Sequence, residues 1–331
     1  MSQRGAIIPR MSAGDFSVLD KSALFARLAA GAVGSITVVT PNRRLAQELA
    51  REFDADRIGS GLQAWEAPDI LPLTSFLERL WEGAVYSDAA GDLPLLLSTA
   101  QEQALWESII SASAWGDQLL SPARTADQCR DAWRLAHAWR IDGVLEKFPG
   151  NDDARAFAEW AETYARRTAR EIDASRLADA VLKIFSLPAV SRPATLVAYA
   201  FDIMPPQTAD FLRGVRAAQV EVAQCNPHRG EPAAVRTIFP SAREELEAAA
   251  QWARTRLEEA QQQKSSTAGG VGLRIGVVVP DLQQRRAEVA RVFSRVMVPG
   301  WNLPGAAVAP LPFNISIGVP LNSYPLVHAA L

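Results

Sequence analysis

The chain has 331 residues, enough for roughly two domains, and 48% hydrophobic residues are enough for proper cores. A formal net charge of −3 removes any overall basic signature of nucleic-acid binding, while leaving room for a local basic groove. Cys129 and Cys225 stand far apart with no Cys/His cluster, which supports neither a disulfide framework nor a zinc or iron–sulfur site. No apolar run reaches membrane-spanning length and the N-terminus has no convincing cleavage site, so a cytoplasmic protein with no membrane partner is expected.

Residues 36–54, ITVVTPNRRLAQELAREFD, open the readable pattern. Ile36, Val38 and Val39 predict a strand; Thr40 suits a helix cap and Pro41 a first helical position. Leu45, Ala46, Leu49, Ala50 and Phe53 then recur at helical spacing. That strand–turn–helix puts Asn42, Arg43 and Arg44 at the carboxyl end of a strand, where open α/β sheets bind ligands. APDILPL (67–73) reads as a second short strand, and TSFLERLWEG as a helix capped by Thr74.

Residues 86–190 show little strand signal and several helical patterns, and are expected to form a helical insertion. Ser98 and Gln101 make a capping box, and six of the nine tryptophans fall between Trp81 and Trp160 at spacings typical of a core. The α/β grammar returns with TLVAYAF (195–201) as a strand, a helix over 205–218 and VEVAQC (220–225) as a strand. Ser241 and Glu244 cap a long amphipathic helix, and 261–272 is a glycine-rich loop. RIGVVV (274–279) predicts a strand, Asp281 opens a helix, FNISIG (313–318) predicts a last strand and 322–331 a helix. That helix is still running at Leu331, so the chain is expected to be a fragment of something longer.

Two catalytic signatures fail. A phosphate loop needs a lysine after a glycine, and none of Lys21, Lys147, Lys183 or Lys264 follows one. A metal-dependent nuclease needs a second carboxylate two residues before a lysine; those positions hold Leu19, Leu145, Val181 and Gln262. Asp69 and Asp281, each after a proline, then read as turn or cap residues. His137, between Trp133 and Trp139, reads as a satisfied structural histidine. Arg285, Arg286, Arg291 and Arg295 read as surface residues of one helix rather than a nucleic-acid stripe.

In order and spacing these segments resemble the helicase-like N-terminal part of bacterial AddB-type proteins, the B subunits of ATP-dependent helicase–nucleases of superfamily 1 plan. VVTPNRRLAQELAREFD resembles the family's motif Ia segment, and WEAPDILPLTSFLERLWE (65–82) the segment after it, with Thr74, Ser75 and Phe76 in the place of motif Ib contacts. LVAYAFDIMPPQTADFL (196–212) resembles its degenerate motif II strand, where Ala198, Tyr199 and Ala200 leave only Asp202 as an acid. The resemblance implies an α/β fold: a RecA-like parallel-sheet domain over 1–85 and 191–240, the helical insertion over 86–190, and the start of a second RecA-like domain over 241–331. It further implies a non-hydrolytic scaffold of a DNA repair and recombination exonuclease whose carboxylate–lysine nuclease domain lies further along the polypeptide, with no cofactor in this segment. Thr40, Asn42, Arg43, Arg44, Thr74, Ser75 and Phe76, with Ser316 and Gly318 from the second domain, would line a path for single-stranded or end-containing DNA. The alternatives are a module that docks a helicase–nuclease partner subunit through Trp106, Trp133 or Trp160, and a nucleotide-driven helicase.

Overall fold

The computed structural model describes residues 16–31, 35–87, 91, 93–147, 150–188, 190–227, 234–264, 273–304, 310–318, 321 and 324–330. The N-terminal residues 1–15 and most of the glycine-rich loop lie outside that set. The chain divides into two compact units, Met1–Gly230 and Glu231–Leu331.

The first unit is built on a five-stranded, all-parallel sheet. Its strands are β1 (Ser17–Leu19), β2 (Ile36–Thr40), β3 (Ile70–Pro72), β6 (Thr195–Tyr199) and β7 (Glu221–Cys225), in spatial order β1-β7-β6-β2-β3. The central strands are buried on both sides, which is why they read as unbroken apolar runs. Alternate residues serve opposite faces. Val38, Val197, Tyr199 and Ala223 pack under α1 (Lys21–Ala30) and α2 (Arg43–Gly59) through Leu24, Phe25, Leu49 and Phe53. Val39, Leu196, Ala198 and Val222 pack under α3 (Leu73–Val85), α7 (Leu177–Ile184) and α8 (Pro206–Ala217) through Phe76, Leu80, Val181, Phe211 and Leu212.

This division follows from the handedness of parallel crossovers. The links β1–α1–β2 and β2–α2–β3 step one way along the sheet, and those from β3 to β6 and β6–α8–β7 step back. Helices of the two directions therefore lie on opposite faces, and the direction reverses between β6 and β2. β1 and α1 are missing from the sequence reading, although Asp20, Leu24, Leu28 and Gly31 spell a capped helix with an apolar face.

Between α3 and α7 run β4 (Leu95–Leu96), α4 (Thr99–Ser111), α5 (Pro122–Ala138), α6 (Asp152–Arg167) and β5 (Glu171–Ile172), the two short strands pairing with each other. The Ser98–Gln101 capping box is present. Trp106 stacks on Tyr164 at 4.3 Å and 8°, and Trp133 and Trp160 are buried beside them. The fully buried Asp173 carboxylate accepts from Trp133 Nε1 at 3.1 Å, from Arg176 Nε at 2.9 Å and from the Ser175 amide at 2.9 Å. His137 is not satisfied as expected: Nδ1 lies 3.7 Å from Asp142, beyond hydrogen-bond distance, and the buried Nε2 has no hydrogen-bond partner among the described residues. Burial pushes its pKa down, against the pull of Asp142.

The second unit corrects the sequence reading. Its helices are α9 (Ala242–Lys264), α10 (Leu282–Met297) and α11 (Pro325–Ala330), and Leu246, Ala250, Val289, Val292 and Phe293 form its core. Residues 261–264, expected in the loop, continue α9. Residues 273–279 and 313–318 are not strands, so the parallel sheet expected to open a second RecA-like domain is absent among the described residues. A strand exists only through a ladder with a neighbour, and here both stretches instead line a cavity of about 500 Å³ with Ala253, Leu282 and Phe293.

Candidate nucleic-acid interface

In an open parallel sheet, the crevice for a ligand lies outside the carboxyl ends of the strands where the winding reverses. Here that point falls between β6 and β2, beside Pro41–Arg44 on one side and Ala200–Pro205 on the other.

Thr40 is the last residue of β2, in register with Pro72 of β3. It is fully buried, and its Oγ1 donates to the Asn42 carbonyl at 2.8 Å. It neither caps the helix nor offers its side chain to a ligand, because the sheet claims it; both expectations are corrected. Asn42 caps instead, its Oδ1 accepting from the Leu45 amide at 3.0 Å, and α2 starts at Arg43 rather than Pro41. Arg43 and Arg44 are exposed, and among the described residues neither makes an ion pair or hydrogen bond. Elsewhere in the unit, arginines such as Arg79, Arg140 and Arg176 are held by carboxylates.

On the adjacent strand, α3 begins at Leu73 directly after Pro72 and has no side-chain cap, so Thr74 is inside the first turn and does not cap. Thr74 is exposed and Ser75 half-buried, both on the edge that carries Asn42 and the arginine pair. Phe76 turns the other way. It is fully buried, edge-on to Phe211 at 6.4 Å with the Arg79 guanidinium over its ring, so it is removed from the candidate contacts. Ser316 and Gly318 are exposed residues of the second unit, Ser316 on the wall of its cavity.

The helices after β2, β3 and β6 have no acidic residue in their first turns. A helix start carries about half a positive charge from its unpaired amides, so this edge of the sheet attracts anions. The start of α1 is the exception. There the Asp20 carboxylate accepts from the Ala23 amide at 2.7 Å and from Ser22 Oγ at 2.6 Å, and Lys21 pairs with Glu52. The first βα turn, one residue long, is thus capped by its own carboxylate.

β6 is followed by Ala200, whose φ of 60° is the left-handed conformation that side chains disfavour. The Asp202 carboxylate and the 72%-exposed Ile203 follow it. Tyr199 is buried, which pushes its phenol up to about 12 and keeps it neutral. Asp69, read from sequence as a turn residue, is an anchor instead. Its carboxylate takes a bidentate contact from Arg79 at 2.7 and 2.8 Å and a hydrogen bond from the buried Thr37 at 2.6 Å. Burial raises its pKa, but the Arg79 and Thr37 hydrogen bonds and the Arg79 charge outweigh it, holding the carboxyl below the usual aspartate range. No group of three or more metal-ligating side chains occurs among the described residues, nor does a helix long and apolar enough to cross a membrane. No protein-family model matches the chain, and no curated protein does.

Proposed function

We propose that the first unit binds single-stranded DNA through its phosphates, along the sheet edge formed by Asn42, Arg43, Arg44, Thr74 and Ser75. In this reading the chain is a non-hydrolytic, helicase-like scaffold of RecA-like type, part of an AddB-type repair and recombination exonuclease. The observation that carries it is the pair Arg43–Arg44: exposed, without a partner among the described residues, and at the point where the winding reverses. Asp20 supports the non-hydrolytic half, since a carboxylate occupies the helix start that a phosphate would need. The docking alternative loses its motive, because Trp106, Trp133 and Trp160 are all core residues.

Phosphate contacts are independent of sequence and steeply dependent on salt. Titrating fluorescent single-stranded DNA with wild type and Arg43→Ala/Arg44→Ala at several salt concentrations tests the reading. Losing two phosphate contacts should weaken binding and flatten the slope of log K against log salt by about 1.4. Equal affinity and slope in the two proteins would remove the proposed path.

A further inference from the structure

The second unit carries a cavity of about 460 Å³, bordered by charged side chains and an indole, that the nucleic-acid reading does not use. Of the four α10 arginines, three are engaged. Arg285 donates to Glu288 at 2.9 Å and to the Ala242 carbonyl at 3.1 Å, Arg286 to the Ile317 carbonyl at 3.0 Å, and Arg295 to Glu247 at 2.6 Å. Glu247 also accepts from Arg243 at 3.1 Å. Arg291 is exposed and makes no side-chain ion pair or hydrogen bond among the described residues, although its charge helps to lower the pKa of Glu288.

The chain then reverses at Gly300, with φ of 81°; a Cβ there would stand 3.2 Å from Leu303 Cδ1. The turn is closed by the Trp301 amide on the Val298 carbonyl and the Leu303 amide on the Gly300 carbonyl, both at 3.0 Å. It brings Trp301, 44% exposed, and Asn302 to the same cavity as Arg243, Arg291, Arg295 and Glu288.

An indole, an amide and three guanidinium groups on one cavity wall, one of them without a hydrogen bond or ion pair, match a flat base joined to a phosphate. The volume is within the usual range for a small-ligand site. We propose that this cavity binds one nucleoside phosphate, the base stacked on Trp301 and the phosphate held by Arg291 and Arg295. The nucleotide is either free or one unit of a nucleic-acid strand. Glu288, tied to Arg285, sets an anionic limit on how many charges the site accepts.

Calorimetric titration of the whole chain with adenosine 5′-monophosphate, adenosine, inorganic phosphate and a short oligodeoxyadenylate tests this. The monophosphate should bind at least about tenfold tighter than adenosine or phosphate. Trp301→Ala and Arg291→Ala should each weaken it by about tenfold or more, with unchanged thermal melting. Trp301→Phe should retain binding, and Glu288→Gln should tighten the monophosphate but not adenosine. If the oligonucleotide loses the same factor in Trp301→Ala, the source is a strand; if only the monophosphate responds, it is a free nucleotide. Failure of the monophosphate and the oligonucleotide to bind wild type, or their binding unaltered by Trp301→Ala and Arg291→Ala, overturns the proposal. Oligonucleotide binding that is lost in Arg43→Ala/Arg44→Ala but intact in Trp301→Ala ends this inference and leaves the first-unit reading standing.

Discussion

The two units of the chain give opposite answers to the same apolar patterning. In the first, ITVVT and TLVAY lie side by side in register, Ile36 opposite Thr195, and both faces of the ladder are covered by helices. In the second, RIGVVV and FNISIG carry a comparable signal yet form no strand and line a cavity instead. Periodicity reports which side chains want burial. It does not report whether a neighbouring backbone is present to take the hydrogen bonds. The same contrast governs charge: the described arginines of the first unit are mostly spent on structure, and among those that are not, Arg43 and Arg44 stand where the winding reverses.

Amide hydrogen exchange should give the largest separation. Amides of 36–40 and 195–199 should exchange on the order of a thousandfold slower than those of 273–279 and 313–318, because only the former must open a buried ladder. Comparable protection in the two sets would mean that the second unit pairs its apolar stretches after all.

Matched deletions come next. Phe211→Ala removes a fully packed ring wedged against Phe76 and should cost about 3–5 kcal/mol in urea unfolding. Phe293→Ala already borders the cavity and should cost less, roughly 2 kcal/mol. Costs of equal size would refute the difference in packing.

The smallest effect is electrostatic. Arg79 is about half exposed, so its pair with Asp69 contributes roughly 0.5–1 kcal/mol after solvent screening. The folded-state pKa of Asp69 is lowered, so that contribution is present above the usual aspartate range and is lost as pH falls through the lowered value. Stability curves of wild type and Arg79→Ala should therefore lie apart at neutral pH and converge in acid. A gap that persists in acid would assign Arg79 a packing role over Phe76 rather than a charge role.

Much of the first unit was legible because buried parallel strands and amphipathic helices leave period and cap signals in the residues themselves. The turn after β2 was harder to read. Thr40 and Asn42 can both cap in isolation, Asn somewhat better, and pairing of Thr40 with Pro72 on the next strand decides between them. Phe76 was misread for a similar reason: a helix shows its neighbours by spacing, but only the sheet fixes which face turns inward. Asp69 finds Thr37 and Arg79 only once β2, β3 and α3 are assembled. β4 and β5, two residues each, are too short to leave any period.

Arg140 sits just past the end of α5 with a φ of 58°, a conformation costing about 1–2 kcal/mol, and its guanidinium reaches Asp179 on α7 at 2.7 Å and Asp210 on α8 at 3.1 Å. Gln207, in the first turn of α8, ties to the same Asp179 at 3.0 Å. These contacts clamp the end of α5 to α7 and to the first turns of α8. The bend bearing Asp202 and Ile203 thus leads into a helix already anchored to the tryptophan-packed bundle.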